Sequence, residues 1–298
     1  MPNVTANGIQ IEYDTCGDPA APPLLLVMGL GAQMIAWDEG FCQLLADRGH
    51  YVIRFDNRDV GLSTRFDAAG TPDLGAMMAA RAAGEPITHA AYLLNDMADD
   101  AVGLLDALNI PAAHIVGASM GGMIVQAIAI RHPQRVLSMT SIMSTTGHPS
   151  LPQAKPEAMA VLLSPRPDDR EAMLDQAVAA ARTIGSTGFP FDEERVRARA
   201  ARSFDRAFYP AGMARQMVAI TASGNRRDAL RDVKLPTLVI HGAVDPLVPV
   251  EGGHDTAACI PGAELLIIEG MGHDLPTGAW PRIAEAISAV TARVAVRA

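Results

Sequence analysis

A chain of 298 residues, 49% of them hydrophobic, can bury the core of one large α/β domain, which excludes a disordered protein. A net charge of −9 argues against nucleic acid or an anionic membrane as the main partner. Cys16, Cys42 and Cys259 are odd in number and far apart, without disulfide-framework or metal-ligand spacing, so a reducing, cytoplasmic setting and no metal are expected.

In chain order, Met1 to Tyr13 lacks a basic stretch followed by an apolar one, so no signal peptide is expected. Asn7-Gly8 predicts a hairpin turn joining an opening strand to Ile9–Asp14. Further strands are predicted at Leu24–Val27, Tyr51–Phe55, Ala113–Val116, Leu137–Ile142, Thr237–His241 and Glu264–Ile268. They are mainly apolar, as strands buried on both faces should be. Between them, Ala91–Leu108 has helical spacing in Leu93, Leu94, Met97, Val102, Leu105 and Leu108, and Ile283–Val294 reads as a closing amphipathic helix. No apolar run is long enough to span a membrane, since Leu24–Trp37 is broken by Gly29, Gly31 and Gln33. The alternation predicts an α/β fold with a mostly parallel sheet flanked by helices.

One stretch departs from it. From Thr145 to Arg215 no strand pattern occurs, only Pro-bounded helical segments rich in Ala, Met and Arg and nearly neutral in charge. The expected organisation is therefore a core at 1–144 and 216–298 with an inserted helical cap at 145–215.

The chemistry centres on Gly117-Ala118-Ser119-Met120-Gly121, between an apolar strand and a helical run. A serine on such a turn is exposed as a nucleophile, and small neighbours are needed because the backbone reverses sharply. The N–H of Met120, at the helix start, is free to bind an oxyanion. A base is expected from His273, on the Gly-rich loop after the last strand, where an open α/β sheet presents its ligands. His241 ends a strand and is given a supporting part at most, and the other histidines are read as surface or core groups. The acid that fixes the imidazole is expected to be Asp245, in the loop after Thr237–His241, because Asp274 is too close in sequence to reach the ring. The order Ser, Asp, His matches a nucleophile-elbow triad. A second oxyanion donor is expected from the N–H of Leu30 in Met28-Gly29-Leu30-Gly31. The charges of Asp56-Asn57-Arg58-Asp59 are read as tying down a loop. Met28, Met143, Leu247, Val248 and Leu275 flank these positions and predict an apolar substrate pocket.

Over nearly its whole length the chain resembles the α/β-hydrolase-fold serine hydrolases. Within them it is most similar to the aclacinomycin methylesterase group, through Val27-Met28-Gly29 and Gly270-Met271-Gly272-His273 followed by Leu275-Pro276. The resemblance implies an eight-stranded sheet, a helical cap, no cofactor, and oxyanion N–H groups at Leu30 and Met120. Met28 departs from the superfamily pattern, in which many members carry His before the glycine. The expected function is hydrolysis of a small-molecule carboxylic ester by acyl transfer. A C–C bond hydrolase, a perhydrolase, a proline iminopeptidase-like hydrolase and a non-catalytic ligand receptor are the alternatives.

Overall fold

The computed structural model describes residues 2–294. Its centre is an eight-stranded sheet. The strands are β1 (Asn3–Ala6), β2 (Ile9–Cys16), β3 (Pro23–Val27), β4 (Tyr51–Phe55), β5 (Ala113–Ala118), β6 (Val136–Ile142), β7 (Thr237–Gly242) and β8 (Glu264–Ile268). Their spatial order is β1-β2-β4-β3-β5-β6-β7-β8, with β1 and β2 antiparallel to their neighbours and every later pairing parallel. The first hairpin turns on Asn7 and Gly8, both at positive φ, which explains that dipeptide.

Helices cover both faces. They are α1 (Glu39–Ala46), α2 (Leu74–Ala83), α3 (Leu94–Ala107), α4 (Met120–Arg131), α5 (Pro156–Leu163), α6 (Arg170–Ile184), α7 (Glu193–Arg206), α8 (Pro210–Ala222), α9 (Arg227–Leu230), α10 (Glu251–Cys259) and α11 (Trp280–Ala292). On one face Met97, Ala101 and Leu105 of α3 and Ile124 and Ile128 of α4 pack over Leu25, Ile53 and Ile115. On the other, Phe41 and Leu45 of α1 and Ile283 and Ile287 of α11 cover Leu24, Leu26 and Val116. Met120 to Ala129 of α4 are buried all round, so this helix shows no polar stripe. No described helix is long and apolar enough to cross a membrane.

Three details differ from the sequence expectations. The helix predicted from Ala91 begins at Leu94, where the Asp96 carboxylate accepts from the Leu93 N–H at 2.7 Å and caps the first turn. The closing helix begins at Trp280 rather than Ile283, because Pro281 in its first turn is preset for helical φ and needs no N–H partner. The strand β8 is not buried on both faces: it lies at the sheet edge with Glu264 and Leu265 exposed and only Ile268 buried.

Between β6 and β7 the chain carries α5 to α9 and no strand. The boundary expected at 215/216 falls inside α8, which runs on to Ala222. The helix continues because Arg215 and Gln216 are themselves buried and anchored. Arg215 forks onto Asp59 at 2.8 and 2.9 Å, and Gln216 donates to the Arg58 carbonyl at 2.7 Å. Past that point Ala219 joins the main core. The helical segment is also tied along its outer side, where Arg195 pairs with Asp38 and Arg202 with Glu39.

Candidate active site

Ser119 sits between β5 and α4 with φ 57° and ψ −118°, a backbone conformation that L-residues adopt only under constraint. The constraint is the crossing of strand and helix. A Cβ on Gly117 would stand 2.1 Å from the Gly121 carbonyl oxygen, and one on Gly121 would stand 2.0 Å from that of Val27. The turn is held by Ser119 N–H on the Ile142 carbonyl at 2.9 Å and by the Ser144 hydroxyl on the Ser119 carbonyl at 2.8 Å.

Facing it is His273, in the loop between β8 and α11. Its Nε2 lies 2.9 Å from Ser119 Oγ and its Nδ1 lies 2.7 Å from Asp245 Oδ2. An ionised carboxylate only accepts, so Nδ1 carries the proton and the Nε2 lone pair faces the serine hydroxyl. Asp245, in the loop after β7, is held in turn: its Oδ1 accepts from the N–H groups of Leu247 and Val248, each at 2.9 Å. The structure thus brings Ser119, His273 and Asp245 together at the C-terminal edge of the parallel strands.

The N–H groups of Leu30 and Met120 have no hydrogen-bond partner among the described residues. Their loops meet at the serine, where a Cβ on Gly29 would stand 3.1 Å from Ser119 Cβ. Two side chains hold the Met28–Gly31 segment. Asn57 Nδ2 donates to the Met28 carbonyl at 2.9 Å, and Gln216 Oε1 accepts from the Gly31 N–H at 2.8 Å. The sequence carries no local sign of Gln216 in this part, because its partner is 185 residues away.

Of the other expected pocket residues, Leu247 and Val248 line a cavity of about 270 Å³ together with Met123, Met159 and Ile220. Met28 and Met143, only 7% and 6% exposed, pack into the core on the α1/α11 side, and half-buried Leu275 rests against the same cluster. The Asp56–Asp59 segment is structural. Asp56 accepts from the N–H groups of Met34 and Leu62 and from Arg206; Arg58 forks onto Asp100; Asp59 receives Arg215 and the Tyr92 hydroxyl.

His241 is fully buried, and its Nε2 lies 2.8 Å from the Val248 carbonyl, which makes that nitrogen the donor. Burial lowers its pKa, so it stays neutral while propping the loop that carries Asp245. Asp274 points away from the imidazole. It accepts from Ser186 N–H at 2.9 Å and from the Ser186 hydroxyl, which accepts in turn from Gly272 N–H at 3.0 Å. Burial raises its pKa. The His273 N–H also donates to the Ile184 carbonyl at 2.7 Å, so the turn after α6 grips the histidine loop on both sides of the ring.

Fold and site together define a hydrolase architecture built on a nucleophile elbow. The chain belongs to the α/β hydrolase fold family, whose model matches residues 22–276. It is 30% identical, over 97% of each chain, to the rhodomycin D methylesterases DauP of Streptomyces sp. strain C5 and DnrP of Streptomyces peucetius. A thermophilic esterase from Thermogutta terrifontis superimposes with a TM-score of 0.75 over 99% of each chain at 21% identity, a likeness of fold.

Proposed function

We propose that this protein is a carboxylic ester hydrolase that works by acyl transfer through Ser119, His273 and Asp245. The reading rests above all on one observation, the 2.9 Å and 2.7 Å contacts of the two His273 nitrogens with Ser119 Oγ and Asp245 Oδ2. Its similarity along the full chain to two methylesterases supports an ester, and a methyl ester in particular, as the bond broken.

His273 Nε2 takes the Ser119 proton as Oγ attacks the ester carbonyl, while Asp245 stabilises the imidazolium. The developing oxyanion receives the N–H groups of Leu30 and Met120. His273 then protonates the leaving alcohol, and water repeats the sequence on the acyl-enzyme. The helices from 145 to 222 act as a cap over the sheet edge, keeping water from the reacting carbonyl. The three unpaired thiols fit a cytoplasmic enzyme.

The deciding experiment is Ser119→Ala. Hydrolysis of p-nitrophenyl esters should fall on the order of 10⁶-fold in kcat, because a triad acts as a unit. Substantial residual turnover would reject Ser119 as the nucleophile.

A further inference from the structure

The cavity of about 270 Å³ beside the site holds a charge that the catalytic reading does not use. Arg226 lines it, only 9% exposed, and has no carboxylate partner among the described residues. Its guanidinium donates to Gln126 Oε1 at 3.0 Å, the Thr145 carbonyl at 3.0 Å and the Gly224 carbonyl at 3.2 Å, all neutral acceptors. A guanidinium has five N–H donors, so two remain. The nearby carboxylate, Asp255, is taken by Arg227 and by the Thr146 hydroxyl. Burial without a compensating acid pushes the Arg226 pKa down to about 10, which leaves it a full cation at neutral pH.

Buried charges are ordinarily paired, since an unpaired one loses its hydration without return. Among the described residues no Asp or Glu lines this cavity, whereas Arg81 and His148 do. The rest of the lining is largely apolar, from Met123, Leu151, Met159, Ile220, Leu247 and Val248. Its walls are close neighbours, in the chain or by hydrogen bond, of the groups at the reacting centre. Met123 is one helical turn beyond Met120, Leu247 and Val248 bind Asp245 through their N–H groups, and Thr145 follows the Ser144 that holds Ser119. A ligand suited to it has an apolar stem and an anionic end.

We propose that this cavity is a subsite for a carboxylate, so that the preferred esters are half-esters of aliphatic dicarboxylic acids whose free carboxylate seats against Arg226. This rests on the ester hydrolase reading above. The carboxylate supplies the counter-charge that the fold omits, and its methylene chain lies along the methionine and leucine walls. An Arg fork favours a planar carboxylate over other polar ends, because two parallel N–H bonds can form.

The test compares monomethyl adipate and monomethyl suberate with methyl hexanoate and methyl octanoate, followed by methanol release. Wild type should favour the half-esters in kcat/KM by about tenfold or more, the worth of a charge-assisted hydrogen bond. In Arg226→Gln that ratio should collapse to about one or below, as expected when the charged donor is lost. Because Arg226 also braces three segments, Thr221→Asp serves as the second variant. It sets a carboxylate into the same cavity, keeps the Arg226 hydrogen bonds, and should lower the ratio as well. No preference in wild type, or equal loss on both ester classes in folded Arg226→Gln, overturns the subsite. Calorimetric binding of monomethyl adipate to Ser119→Ala separates the two claims. Binding that Arg226→Gln abolishes, with no turnover in wild type, keeps the subsite and sinks the hydrolase.

Discussion

Replacing Asp245 by Asn tests the acid without emptying its site, and the structure dictates which way the amide must face. Oδ1 of Asp245 accepts two N–H groups, those of Leu247 and Val248, while Oδ2 accepts from His273 Nδ1. If the amide oxygen turned toward His273, its NH₂ would oppose those two N–H groups. Each donor left unmet in that half-buried loop costs up to about 1–3 kcal/mol. Keeping the oxygen on the two N–H groups costs only a change of imidazole tautomer, so this orientation wins. The NH₂ then donates to Nδ1, the ring proton moves to Nε2, and the base no longer has a lone pair facing Ser119. The expected loss is about 10⁴-fold in kcat, equivalent to about 5.5 kcal/mol of transition-state stabilisation. Initial rates on p-nitrophenyl acetate at neutral pH, with a melting curve to confirm folding, measure it. A folded Asp245→Asn enzyme within about tenfold of wild type would refute both the tautomer argument and the assignment of Asp245.

Two further outcomes follow from the same geometry. Gln216→Leu removes the acceptor that holds the Gly31 N–H, so kcat should fall by about 10- to 100-fold with KM little changed, because the loop donor binds the oxyanion more than the ester; a change confined to KM would contradict it. His114 is buried against Ser138, and burial, with the neighbouring His50 charge, pushes its pKa down to about 4 from the ordinary 6.5. With a folded pKa below the unfolded one, stability is intact above about pH 6.5 and falls as pH drops toward 4, by about 3 kcal/mol over the window. Urea unfolding at pH 7 and pH 4.5 should show a smaller loss in His114→Gln than in wild type, and an equal loss in both proteins would refute the assignment.

The parts legible in the sequence are those whose cause is local. The parallel strands stand out because they are buried in the middle of the sheet and so nearly uniformly apolar, as Leu24–Val27 and Ala113–Val116 show. The serine turn is readable because Gly117 and Gly121 have no room for a side chain. What escaped depends on distant partners. The exposure of β8 follows from its place at the edge, which its own apolar residues do not reveal. The persistence of α8 through 215 depends on Asp59 and Gly31, far back in the chain. Met28 and Met143 flank the site in sequence and pack against the core, and methionine suits a core as well as a pocket wall, so its identity does not distinguish the two.

The helical segment between β6 and β7 also changes how the site's rigidity should be understood. It touches the loops of three proposed participants, Leu30, His273 and Asp245. Gln216 holds Gly31 beside Leu30, the proposed oxyanion donor, the Ile184 carbonyl holds the His273 N–H, and Lys155 N–H donates to the Pro246 carbonyl at 2.8 Å, next to Asp245. These are hydrogen bonds to backbone, which fix position without fixing side-chain identity, so the grip survives sequence change in the loops. A lid swinging free as one body would break all three and release the imidazole from Ser119. Substrate entry therefore has to occur by movement within the segment, between its anchored points, rather than by lifting the whole of it. Regions of few buried contacts open at the least free-energy cost, and α5, with only Ala158 buried among its eight residues, is such a region, whereas α7 is held by Arg195 on Asp38, Arg202 on Glu39 and Arg206 on Asp56. Amide exchange should accordingly be fastest in α5 and slow at Ile184, Gln216 and His273. Uniform exchange across 145–222 would instead indicate that the helices open together.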